Sequence, residues 1–69
     1  MAKDLVVRNN VNMPIGWVRD FKDRKIATHY RKGYVGTYIF SSNLTLDKKG
    51  KIYCYGDGTQ DLVRQADRE

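Results

Sequence analysis

Cysteine, histidine and proline each occur once in this chain, as Cys54, His29 and Pro14, and no long apolar run exists. A single cysteine has no partner within the chain, which excludes a disulfide-stapled scaffold. Cys54 and His29 together supply two of the four soft ligands that a structural zinc site needs. No metal and no cofactor are therefore expected. Nothing approaches the ~20 apolar residues required to cross a bilayer, so no membrane partner is expected either. The opening residues, MAKDLVVRNN, hold only three hydrophobic residues between Asp4 and Arg8. That is too few for a signal-peptide core, and the expected location is cytoplasmic. The six glycines are scattered singly, so no phosphate-cradling loop is present, and there are no internal repeats.

What the chain does contain argues for a fold. Hydrophobic residues make up 41% and aromatics 12%, against 30% charged, which is too apolar for a disordered segment. Residues 1–69 read as one small basic domain. A domain of this length buries only about 60% of its unfolded surface. Its eight aromatic rings, or self-association, would have to supply the missing stability.

The clearest local signal is NLTLDKKGKIYCYGDG, residues 43–58. Leu44 and Leu46 alternate with polar neighbours, and Ile52-Tyr53-Cys54-Tyr55 is strand-forming. Between them, Asp47-Lys48-Lys49-Gly50 has type I turn chemistry closed by a glycine at positive φ. A β-hairpin follows. Leu5-Val6-Val7 suits a short strand, ending at Asn9-Asn10. Residues 15–25 support two readings. With period two, Ile15, Trp17 and Phe21 share a strand face that Arg19 interrupts, followed by a turn at 22–25. With period 3.6, Ile15, Val18, Phe21 and Ile26 form a helical stripe with Asn12 as N-cap. The strand is the preferred reading.

Residues 26–30 and 34–40 are more plainly extended. In YVGTYIF, strict alternation puts Tyr34, Tyr38 and Phe40 on one face and Val35, Thr37 and Ile39 on the other. Apolar character on both faces suggests a central strand covered above and below, and Gly36 marks a bulge or a close backbone approach. Thr59 can cap a helix whose stripe is Leu62, Val63 and Ala66; at about ten residues it must dock or fray. The expected fold is α+β and mostly β: an antiparallel meander of four or five strands, open or barrel-like, with a short C-terminal helix.

Thirteen Lys and Arg against eight Asp and Glu give a net charge of +5. Six of the basic residues lie between Arg19 and Lys32. Turns at 22–25 and 31–33 would sit at opposite ends of one strand, about 16 Å apart. That spacing could follow phosphates along a nucleic-acid backbone. Tyr30-Arg31-Lys32-Gly33-Tyr34 adds rings for base stacking beside cations. The candidate nucleic-acid-binding residues are therefore Lys22, Arg24, Lys25, Tyr30, Arg31, Lys32 and Tyr34. The run KGYVGTYIF resembles the aromatic RNA-binding strand of the RRM and cold-shock families over nine residues. It departs by an extra Val35 and by Thr37 in place of a second ring. The insertion flips every later side chain unless a bulge restores the phase. No family is assigned on it.

No catalytic residues are expected. Cys54 stands among Ile52, Tyr53 and Tyr55, the setting of an inert thiol, and no nucleophile motif accompanies His29. Asp57 and Asp61 in GDGTQD lack the further oxygen ligands of a calcium loop and suit a turn and helix start. The leading expectation is a non-enzymatic nucleic-acid-binding or regulatory domain. The alternative is an accessory module, of the size common in phages, that binds a protein partner or forms a homo-oligomer.

Overall fold

In the computed structural model, which describes residues 4–68, six strands follow one another as a continuous antiparallel meander. They are β1 (Asp4–Arg8), β2 (Pro14–Asp20), β3 (Arg24–His29), β4 (Gly33–Ile39), β5 (Leu44–Asp47) and β6 (Ile52–Tyr55), and one helix, α1 (Thr59–Arg68), ends the chain. The first three residues, part of the N-terminal reading above, lie outside the described set. The fold class is as the sequence indicates, with six strands rather than four or five. Each strand pairs only with its neighbours, leaving β1 and β6 as edges, so the sheet is open and not a barrel. Residues 15–20 are strand and not helix; Asn12 occupies the β1–β2 turn at φ 65°.

The β5–β6 turn forms as its chemistry dictates. Gly50 sits at φ 86° and its N–H donates to the Asp47 carbonyl at 3.0 Å. The Asp47 carboxylate accepts from the Lys49 and Lys51 amides at 2.9 and 3.0 Å. At the helix start the roles differ from expectation. The Gly58 carbonyl takes the first helical bond, from Leu62, while the Asp57 side chain accepts from both the amide and the hydroxyl of Thr59. Asp57 is thus the capping side chain, and Thr59 turns inward and is buried.

The helix lies across β1 to β4 on a track of small residues. A Cβ added at Gly16 would collide with Val63, and one at Gly36 with Leu62. The register pairs Val18 with Ala27 and Ala27 with Gly36, completing the track. Small side chains let the helix sit close to the strands, so the covered core is slight: Val7, Ile15, Val18, Ala27, Val35, Leu62, Val63 and Ala66. His29, fully buried, closes one end through Asp67.

Three irregularities, one of them a slip between Thr45 and Leu46 that leaves Tyr53 as the extra residue of β6, decide which side chains face away from the helix. The β3–β4 register slips between Ala27 and Thr28, leaving Val35 as the extra residue, and Thr28 then pairs with Tyr34. The bulge therefore lies at Val35, one residue before Gly36, while Gly36 is the close approach. Val35 turns to the helix, and Tyr34 comes onto the same face as Thr37 and Ile39. This corrects strict alternation, which joins Tyr34 to Tyr38. A second slip, beside Arg8 and Pro14, puts Ile15 in the core and leaves Trp17 and Arg19 together on the opposite face.

Candidate interaction surface

The face opposite the helix is built from three cross-strand rows. The first is Val6, Trp17, Thr28 and Tyr34; the second is Asp4, Arg19, Ile26, Thr37, Leu46 and Ile52; the third is Arg24, Ile39, Leu44 and Tyr55. Within each row, neighbours stand directly opposite on paired strands, which places their side chains side by side. More of the large apolar side chains stand here than in the core under the helix. Val6, Tyr34, Ile52 and Tyr55 are 50%, 46%, 55% and 79% exposed, and Ile26, Ile39, Leu44 and Leu46 are half-buried. Monomeric proteins rarely expose contiguous apolar patches beyond a few hundred Å².

The charged groups on this face are already matched. Arg19 makes a bidentate pair with Asp4, at 2.8 and 3.2 Å, and Arg24 pairs with Asp23 at 3.1 Å. At the centre, the Tyr34 and Thr37 hydroxyls share a hydrogen bond of 2.6 Å. Salt-bridged arginines hold the Asp4 and Asp23 carboxyls below their ordinary range, chiefly through hydrogen bonds from Arg19 and Arg24.

The seven residues selected from the sequence do not gather on one side. The turns at 21–23 and 30–32 do lie at opposite ends of β3. Lys22 is exposed in the first, and Arg24, next to it in sequence, lies on the open face. Lys25 points to the helix side and binds Asp57 at 2.9 Å. At the far end, Arg31 lies over the Tyr30 ring at 5.2 Å and 3.6 Å from Asp67, while Tyr30 leans on the His29 ring. Lys32 lines a groove of about 350 Å³ on the helix side with Lys48, Lys49, Tyr53 and Gln65. Only Tyr34 and Arg24 share the open face. Sequence reasoning missed Trp17, Ile26 and Leu46 as surface residues; the signal for them was the run of small residues Gly16, Ala27 and Gly36, which marks the helix side of each central strand.

Cys54 and His29, the one pair weighed for catalysis in the sequence, each make local contacts. Cys54 Sγ lies 3.9 Å from the Gly56 carbonyl. His29 Nδ1 accepts the amides of Arg31 and Lys32 at 3.1 and 3.3 Å, which assigns the proton to Nε2, facing Asp67 at 3.1 Å. Both ring nitrogens are thereby occupied. Among the described residues no cluster of three or more His, Cys, Asp or Glu could hold a metal ion, and no helix is long and apolar enough to cross a membrane.

The contact from Lys25 to Asp57 fixes the helix start to β3 and gives a pH dependence. Burial pushes the Asp57 carboxyl up, but hydrogen bonds from Thr59 and Lys25 outweigh it and hold the carboxyl below the ordinary carboxylate range. A carboxyl depressed in the folded state contributes stability above its unfolded pKa and loses it as pH falls through the folded one. Stability is therefore expected to drop below about pH 4, and Asp57→Asn should weaken that dependence. Urea midpoints at pH 6 and pH 3 measure it; an identical drop in the variant would contradict the assignment.

Compared with protein-family models, curated proteins and solved structures, the chain matches none.

Proposed function

We propose that this chain is a small binding module, without catalytic chemistry of its own, that takes up a protein surface on the open face of its sheet. The observation that carries this reading is the distribution of apolar side chains. A thin core lies under the helix, while Trp17, Ile26, Tyr34, Ile39, Leu44, Leu46 and Ile52 share the opposite face of the sheet, over which no other described element packs. Burying such a surface stabilises by roughly 25 cal/mol per Å². Aromatic anchors ringed by aliphatic side chains are the composition of interface centres.

Nucleic acid is the second reading, and a different site favours it. Lys32, Lys48 and Lys49 converge on the groove beside Tyr53, combining cations with a ring.

The test uses Nile red, a neutral dye for apolar surface, and a random single-stranded oligonucleotide. At nanomolar protein concentration the dye is expected to brighten with wild type and several-fold less with Ile26→Glu. Exchanging Lys32, Lys48 and Lys49 for Glu should leave the dye signal unchanged. No dye response, together with salt-sensitive oligonucleotide retention abolished by the lysine exchange, would reject the protein-binding reading in favour of the second.

A further inference from the structure

We infer that the occupant of the open face is a second copy of this chain, joined across a twofold axis into a helix–sheet–sheet–helix sandwich. The inference rests on the reading of that face as a protein-docking surface, and names its partner.

Area is the first argument. The molecule is a slab of 33 × 27 × 17 Å, one helix layer on one sheet. Its broad side matches the roughly 800 Å² per partner that a stable, specific interface covers. Two sheets stacked face to face pack about 10 Å apart, the separation that interdigitated Ile, Leu and aromatic side chains fill.

Charge is the second. An isologous contact lays a surface on itself, so any unbalanced charge there would meet its own copy. On this face the cations Arg19 and Arg24 are each matched by an aspartate, Asp4 and Asp23. The surplus of the +5 net charge sits elsewhere, on the exposed turns at Lys22, Lys48 and Lys49. Two copies can thus meet without bringing the surplus together. A strongly charged partner would find no unmatched charge to read.

The centre of the face is also suited to an axis. Ile26 and Thr37 are the middle pair of the six-residue row. The Thr37 hydroxyl is satisfied by Tyr34, so closing the face strands no polar group there. Ile26 of one copy then packs near Ile26 of the other, with Trp17 and Leu46 to either side. The slight core beneath the helix gives the association its purpose, since domains of this size commonly need an added source of stability.

Sedimentation velocity between about 1 and 500 μM tests this on the full chain. Wild type is expected to reach twice the 8.0 kDa chain mass. Ile26→Glu and Leu46→Glu should each raise the dimer dissociation constant at least a hundredfold, while Arg64→Ala on the helix side leaves it unchanged. Both substituted residues are half-buried, outside the core under the helix; far-UV circular dichroism establishes that the fold is retained, and Trp17→Ser serves if either glutamate unfolds the chain. A dimer unaffected by these variants would overturn the assignment of the face. A wild-type monomer at 500 μM would overturn the second copy as partner. If that monomer still brightens Nile red in an Ile26-dependent way, the docking face stands with a different protein as occupant; if it does not, both readings fall.

Discussion

Gly16→Ala is expected to abolish cooperative folding or to lower the melting temperature by 15 °C or more. The added methyl would collide with the Thr28 carbonyl oxygen and lie 2.7 Å from Val63 Cγ1 and 3.2 Å from His29 Cα. Val63 can shift only by lifting the helix. Thr28 belongs to the neighbouring strand, where Trp17 and Thr28 are paired, and its oxygen cannot move without opening the ladder. Overpacking generally removes 1–3 kcal/mol and occasionally more, and a backbone obstacle places this case at about 3 kcal/mol or above. Total stability for a chain of this length is only about 3–10 kcal/mol. Gly56→Ala is the control: Gly56 has φ 85° with nothing within 4 Å of the added carbon, so only the left-handed conformation resists, at roughly 1–2 kcal/mol. Thermal melts followed by circular dichroism compare the two. A Gly16→Ala melt within a few degrees of wild type would contradict the placement of α1 on β2.

His29→Ala should remove about 3 kcal/mol, read as a lowered urea midpoint at unchanged slope. The substitution empties a fully buried position, and excision of a large core side chain typically removes 2–5 kcal/mol. It also removes the hydrogen bond to Asp67, leaving that carboxylate to Arg31 alone, and leaves the amides of Arg31 and Lys32 without an acceptor. An unsatisfied group adds about 1–3 kcal/mol where water cannot reach it; the turn is open enough that only part of this applies. His29→Asn should recover some of the loss, because its side-chain carbonyl can replace Nδ1 as acceptor for the turn. In the alanine variant the amides of Arg31 and Lys32 should be the first to lose protection from hydrogen exchange. Unaltered protection there would show that the imidazole does not hold the turn.

Elements with local causes were legible in the sequence. The β5–β6 hairpin follows from Asp47 and Gly50 alone, and the docked helix from Leu62, Val63 and Ala66, all of which are buried. The division of the sheet into a covered and an open face was not legible in the same way. Along YVGTYIF both faces are apolar, so periodicity cannot assign them, and a single extra residue at Val35 moves Tyr34 relative to Tyr38. The expectation of a central strand covered on both sides follows from that composition, yet α1 covers one side only. The basic residues near 19–32 looked like one cluster because they are close along the chain. An antiparallel meander sends such neighbours to alternate faces and opposite ends. Lys25 and Arg31 then meet Asp57, just before the distant C-terminal helix, and Asp67 within it, partners that no local pattern reveals.

Methyl-resolved nuclear magnetic resonance with a soluble paramagnetic probe, recorded as the chain is diluted, tests the central claim most directly. At low concentration the methyls of Ile26, Ile39, Leu44, Leu46 and Ile52 should be strongly broadened by the probe, and at high concentration they should be shielded. Those of Val7, Val18 and Val63 should stay shielded throughout. Open-face methyls shielded at every dilution would mean that the monomer covers its own sheet, which contradicts the account.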